Sequence, residues 1–343
     1  MRMMPMKEAG ARFKISTPVR YVMNTGVILL MLYLGNLITE SGILGRAQNS
    51  IVIQVGFFII LAVSLNLVTG YLGQLPLGHA GFMAVGAYSA ALFWREGLLP
   101  GVASVVAGLV LAGVVAAVFG VMIGVPALRL KGDYLAIITL GFGEIIRVVL
   151  NNLDGITYGA RGLRNIPRYS SFLVVYACVV VTVAVMHMII KSRHGRAIIS
   201  IRENEIASES CGINVTYYKV LSFAVSAFFA GVAGALYAGN QGILVPANFD
   251  FMTSINILMI VVLGGLGSMM GSIIAAVVLT ALPFMLQPLA EYRMIIYSIM
   301  LIAVMIFKPS GLMGTREFSL SGIIEWCMNN VLSLRKQGGK QHG

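Results

Sequence analysis

Glu144 and Arg147 stand three residues apart inside an otherwise apolar run, 134–151. At that spacing they share one face of a helix. Ionisable groups at membrane depth are costly unless they pair or face water. The spacing therefore implies a mutual ion pair or a polar cavity, and a cavity would set Glu144 beside the path of a zwitterionic solute. A second segment, GYLGQLPLGHAGF at 70–82, interrupts apolar sequence with four glycines, Gln74, Pro76 and His79. Pro and Gly break helices, and freed backbone groups survive at membrane depth only where protein or water satisfies them. The segment reads either as a helix break beside a pathway or as a Gly-rich turn at the membrane surface. A lone His79 is more often a hydrogen-bonded structural group than a proton carrier.

A third segment, RHGRAIISIRENEIASESCGI at 193–213, has charges of alternating sign and no proline. Residues near 195–209 are expected to form one short charged helix on the membrane surface, suited to docking into a separate subunit. The fourth, VLGGLGSMMGSIIAA at 262–276, marks a tight turn between two apolar runs. No GxxxxGK[ST] loop, HExxH pair, nucleophile elbow or Cys/His cluster occurs. The chain is therefore not expected to be an enzyme, to bind a cofactor or metal, or to hydrolyse ATP itself. Cys178, Cys211 and Cys327 lack metal-ligand spacing and read as free thiols.

The elements that position these residues follow from composition. Of 343 residues, 58% are hydrophobic and 11% charged, too few polar groups to cover a globular surface. Apolar runs recur at 22–38, 51–69, 80–94, 102–124, 134–151, 171–190, 219–239, 253–269, 272–289 and 293–307. Most approach the roughly 20 helical residues that cross a bilayer. Barrel strands are shorter and alternate, so the expected class is an all-α polytopic membrane protein of about ten transmembrane helices. The run 22–38 reads as a retained first helix rather than a cleaved signal.

Net charge is +11. The Lys and Arg residues cluster between alternate runs, which reads as membrane orientation and not as a nucleic-acid surface. Both termini are expected on the cytoplasmic side, with Arg129 and Lys131 and the loop at 191–218. Arg161, Arg164 and Arg168 break that rule on the outer side. The parts are then a cytoplasmic segment 1–21, a transmembrane domain 22–307 and a cytoplasmic tail 308–343. Spans two to five and seven to ten have opposite sense, the arrangement of an inverted repeat. Small residues at Gly108–Gly113, Gly120–Gly124 and Gly231–Ala235 suit close helix packing.

Five segments, in order, resemble the ABC permeases of high-affinity branched-chain amino-acid uptake, the M-type subunit. They are NLVTGYLGQLPLGHAGFMAVGAY at 66–88, LKGDYLAIITLGFGEIIR at 130–147, GRAIISIRENEIASESCGIN at 195–214, VLGGLGSMMGS at 262–272 and FKPSGLMG at 307–314. The resemblance implies an importer core like that of ribose and vitamin B12 transporters (type II-like) in the bacterial inner membrane. It implies a homologous second permease, two cytoplasmic ATPases that bind the ATP, and an extracellular binding protein as partners. It further implies that Gly195, Arg196, Arg202, Glu203, Asn204, Glu205 and Gly212 couple to the ATPases. Leucine, isoleucine and valine are the implied substrates. Related permeases carry urea, amides or other amino acids, and an ion-coupled carrier is the reading from a different class. Pro76 stands where the family usually has a small hydroxyl residue, and Ser272 where it has proline.

Overall fold

The computed structural model describes residues 45–286 apart from 98 and 131, with scattered positions in 33–41 and 292–311. The chain divides into two units. The smaller, 1–35 with 318–343, is described only at Tyr33 and Gly35, both helical. Most of the expected runs 22–38 and 293–307, both terminal segments and Cys327 lie outside the described residues. The larger unit is Asn36–Glu317.

Its described part is mostly helical, with a single isolated β-bridge and non-helical stretches that include 72–78 and 162–171. Helix α1 is Arg46–Asn66, continued by one π-helical turn, Leu67–Tyr71. Then come α2 (His79–Glu96), α3 (Gly101–Ala127), α4 (Asp133–Asn152) and α5 (Phe172–Lys191). Two surface helices come next, α6 (Arg193–Glu203) and α7 (Glu205–Ser210). The bundle resumes with α8 (Val215–Gln241), α9 (Phe251–Gly264) and α10 (Met269–Met285). Short polar side chains start several of these. Ser171, Asn214, Asp250 and Ser268 accept backbone N–H bonds from the first turns of α5, α8, α9 and α10, satisfying donors that have no partner within the helix.

Four helical stretches among the described residues are long and apolar enough to cross a membrane: Ala47–Tyr71, Gly101–Ala127, Phe172–Lys191 and Val215–Gln241. Helices α9 and α10 are apolar but shorter. The protein is thus a helical, multi-pass membrane protein. Helices α2 and α8 form the centre. Most of α2 is buried, packed between α3 and α8. Small residues allow this, as expected from the sequence. A Cβ at Gly86 of α2 would collide with the backbone of Gly231 on α8, and one at Gly120 of α3 would meet Ala227 at 2.6 Å.

The two ends of the bundle carry different segments. Ser226 Oγ of α8 donates to Ser64 O of α1 (2.7 Å), and Asn240 Nδ2 donates to Ser50 Oγ (3.4 Å), so the two helices run antiparallel. The end near Ser50 carries segment 153–171. That segment is docked, not loose: Leu163 and Leu244 exchange backbone bonds of 2.8 and 2.9 Å, and Ser170 Oγ donates to Leu236 O at 2.7 Å. Arg161, Arg164 and Arg168 are exposed on it. Arg95 donates to Tyr158 Oη at 2.8 Å and lies over its ring. The opposite end gathers the π-turn, α6, α7 and the α9–α10 turn.

Candidate functional site

A helix break is present at 70–82; Gly73 and Leu75 in it are exposed, while Pro76 and Gly78 to Phe82 are buried. After the π-turn the chain leaves the helix at Leu72, turns at Gly73 (φ 77°) and re-enters it at His79. Leu77 N donates to Thr139 Oγ1 of α4 (3.0 Å), and Ala80 N donates to Ser254 Oγ of α9 (3.1 Å). Thr139 lies about 9 Å along α4 from its start at Asp133. The first turn of α2 therefore sits inside the bundle, with Leu77 N just before it and Ala80 N within it bonded to side chains of two other helices. Close approach is needed here: a Cβ at Gly78 would run into the backbone of Thr139. Pro76 is buried within the break and Gln74 is half-buried.

His79 ties α2 to α1. Its Nε2 is 3.1 Å from Ser64 Oγ, and Ser64 Oγ donates its own proton to Leu61 O at 3.0 Å. The direction of the Ser64–His79 bond follows the imidazole tautomer. The residue is 3% exposed, buried where α2 meets α1.

Glu144 and Arg147 pair with each other, Arg147 Nε and Nη2 both lying 2.7 Å from Glu144 Oε2. Glu144 lines a narrow crevice with Leu77, Gly81, Gly143, Asp250 and Ser254, so the pair stands next to the helix break. Helix α4 buries only Leu135, Thr139 and Ile146, while Ile137, Ile145 and Val148 are exposed. One face of α4 is thus left uncovered by the described residues.

The surface loop forms two helices and not one. Asn204 adopts an extended backbone (φ −158°, ψ 108°), ending α6, and its side chain accepts from Ala207 N to start α7. Asn competes well for such local backbone bonds, which is why it interrupts the run at that point. Ser192 starts α6 by accepting from His194 N and Gly195 N, and Gly195 packs against the carbonyls of Ile189 and Ile190 with no room for a Cβ. Gly212 (φ 83°) terminates the loop. Arg196 and Glu203 are exposed, as is Ile206 at 74%.

Arg202 and Glu205 are turned toward their own chain. Arg202 Nη1 donates to Gly70 O in the π-turn (2.8 Å), and its Nε and Nη2 donate to Glu203 Oε1 (3.1 and 2.6 Å). Glu205 Oε1 lies 3.0 Å from Lys219 Nζ, and the Lys219 side chain is 3% exposed at the foot of α8. An isolated buried ammonium is expensive, so this pair holds α7 against α8.

Sequence reasoning misses the residue that joins these parts. Asn66 is fully buried at the end of α1. Its Nδ2 donates to Ser268 O and Ser272 Oγ, each at 2.9 Å, and its Oδ1 accepts from Gly267 N at 2.9 Å. Two acceptors on one side and a donor on the other fix the amide orientation. Ser272 is thus part of a buried polar cluster. Gly311 (φ 83°) packs on Gly264 and Gly265 so closely that a Cβ would overlap them. The available signal is a polar Asn in an apolar run, since buried amides at membrane depth must find partners. The break, the surface loop, the α9–α10 turn and Gly311 meet at one end of the bundle, while Thr139 and Glu144 meet the break from its inner side.

Residues 48–305 match the family model described as branched-chain amino acid transport system / permease component. The chain is similar to the high-affinity branched-chain amino acid transport system permease protein LivM of Salmonella typhimurium, 37% identical over 310 residues (78% of this chain, 70% of that protein). It is 37% identical over 298 residues to LivM of Escherichia coli (75% and 67%). To the permease protein LivH of Escherichia coli it is 25% identical over 284 residues (76% and 92%). No solved structure matches the chain.

Proposed function

The chain belongs to the permease-component family of branched-chain amino acid transport systems, transport proteins and not enzymes, and we propose that it forms half of the translocation pathway of an ATP-driven importer for leucine, isoleucine and valine. The observation that carries this reading is the 37% identity to LivM along 78% of the chain. The geometry supports it: a satisfied helix break, a paired Glu144 beside it, and an exposed two-helix loop bound to that break at one end.

In this reading the end bearing α6 and α7 faces the cytoplasm, as do both termini, and the segment 191–218 docks onto one of the two ATPase subunits that bind the ATP. Arg196, Glu203 and Ile206 supply the outward contacts, with Asn204 and Gly212 shaping the two helices. The uncovered face of α4 meets a homologous second permease across the pathway. Segment 153–171 faces outward, toward a secreted binding protein. About ten spans with inverted-repeat symmetry in a bacterial inner membrane complete the arrangement.

The test is reconstitution of the chain in proteoliposomes with the permease, ATPase and binding-protein products of neighbouring reading frames. Leucine uptake that requires both ATP and the binding protein is the expected result. Uptake driven by an ion gradient with the chain alone would refute it, and uptake of urea or amides without leucine would overturn the substrate.

A further inference from the structure

One side chain joins three segments that are far apart in the sequence. The Arg202 guanidinium on α6 donates to the Gly70 carbonyl in the π-turn of α1 at 2.8 Å. Its stem lies on Gly73, where an added Cβ would stand 2.7 Å from Arg202 Cγ. Its Nη1 also borders Gly267 in the α9–α10 turn, where an added Cβ would be 3.4 Å from both Nη1 and Gly70 O. Gly70 and Gly267 themselves touch backbone to backbone, and Asn66 bonds Gly267 N and Ser268 O across the same junction. Glycine stands at each of the three places where the arginine lies.

The carbonyl it holds is placed where a push has consequences. A π-turn interrupts regular i→i+4 bonding, and such turns recur at functional sites. Just beyond Gly70 the chain leaves the helix altogether, and the segment 74–80 carries Gln74, Pro76 and His79 and is bonded to Thr139 and Ser254. A continuous set of contacts thus links α6 to the break beside Glu144. On the other side of Asn204 the loop is held separately, by Glu205 to Lys219. The loop has two anchors on either side of a non-helical residue, one to the break and one to α8.

We propose that Arg202 is a positioning residue for transport, conveying movement of the surface loop to the helix break and the α9–α10 turn through its bond to the Gly70 carbonyl. The proposal rests on the reading of this chain as an ATPase-driven permease. It assigns the Arg202 guanidinium to a bond within the permease, although the side chain is 38% exposed, and not to ATPase docking.

The test uses the complete transporter in proteoliposomes, measuring ATPase subunit retention, ATP hydrolysis with binding protein, and leucine uptake. For Arg202→Ala the ATPases stay bound and hydrolysis continues, while the ATP consumed per leucine imported rises about tenfold, within the usual span of coupling between distant sites. Arg202→Lys, which keeps a cationic donor, recovers most of the uptake. If Arg202→Ala does not accumulate in the membrane, Arg202→Gln is read in the same way. An unchanged ATP-to-leucine ratio overturns the proposal. So does loss of the ATPase subunits from the complex, which would make Arg202 a docking residue, and so does the same ratio in Glu203→Ala, which would move the role to that ion pair. Failure of Lys, Gln and Ala variants alike to accumulate would make Arg202 a folding residue and overturn it too. Absence of ATP-dependent uptake by the wild-type complex is a different failure, that of the functional reading itself.

Discussion

Replacing Asn66 by Ala should destabilise the permease out of proportion to the size of the change. The side chain is fully buried and makes three hydrogen bonds of 2.9 Å. Ser268 O keeps bonds from Ser272 N and Ser272 Oγ at 3.1 Å each, so it remains satisfied without Asn66. Gly267 N–H instead depends on Asn66 Oδ1, and an unsatisfied buried donor costs about 1–3 kcal/mol. The two Nδ2 bonds add about 0.6 kcal/mol each, the average for side-chain hydrogen bonds in membrane bundles. The expected loss for Asn66→Ala is then about 2–4 kcal/mol. Ser272→Ala removes the Asn66 Nδ2–Ser272 Oγ bond and the Ser272 Oγ–Ser268 O bond, leaving one Asn66 amide hydrogen unpaired while Nδ2 keeps Ser268 O, so it should cost about 1–2 kcal/mol, less than Asn66→Ala. The double variant should fall short of the sum by roughly the one shared bond, about 0.6 kcal/mol. Asn66→Asp should be worse than Asn66→Ala, because it buries a carboxylate oxygen against the Ser268 carbonyl. Equilibrium unfolding in mixed micelles measures all four. Equal losses for Asn66→Ala and Ser272→Ala, or a wild-type Asn66→Asp, would show that this junction is not held as described.

Other contacts in the bundle can be perturbed in the same way. Glu205→Gln leaves the Lys219 ammonium buried without its counter-charge, so it should destabilise the protein by about 3 kcal/mol; Lys219→Met combined with Glu205→Gln should recover much of that loss in the same unfolding assay, and a strictly additive double variant would contradict the pairing. Gly86→Leu drives a side chain into Gly231 and should abolish a monodisperse folded protein in size-exclusion chromatography, with wild-type behaviour as the disproof. The Glu144–Arg147 pair is 34% exposed on each side, so Glu144→Gln should cost no more than about 1 kcal/mol of stability, while the KM for leucine uptake rises; an unchanged KM would remove Glu144 from the pathway.

Much of this architecture is readable from local chemistry. The starts of α5 and α8 fall within a few residues of the expected runs, because long apolar stretches allow only a helix in lipid and Ser171 and Asn214 cap the first turns. The ion pair at 144 and 147 follows from helical spacing alone. The break at 70–82 follows from Gly73 and Pro76, though its depth does not. The surface loop reads as one helix because charge alternation carries no information about Asn204, whose side chain favours starting a new helix over continuing the old one. The inward turn of Arg202 and Glu205 is equally illegible, since a charge in a polar loop reads as solvated until a buried partner is seen.

By itself, then, the amino-acid sequence determined that this is a helical membrane protein, which family's motifs it carries, and where many of its helices start and stop. These properties are set by burial of apolar runs and by bonds between residues a few positions apart. Only the tertiary structure decided which polar groups meet. The Arg202–Gly70 bond joins residues 132 apart and the Asn66–Ser268 bond residues 202 apart. No local preference encodes such pairings: they exist because antiparallel packing of α1 and α8, at glycine-allowed distances, brings the break, the surface loop and the α9–α10 turn to one end of the bundle.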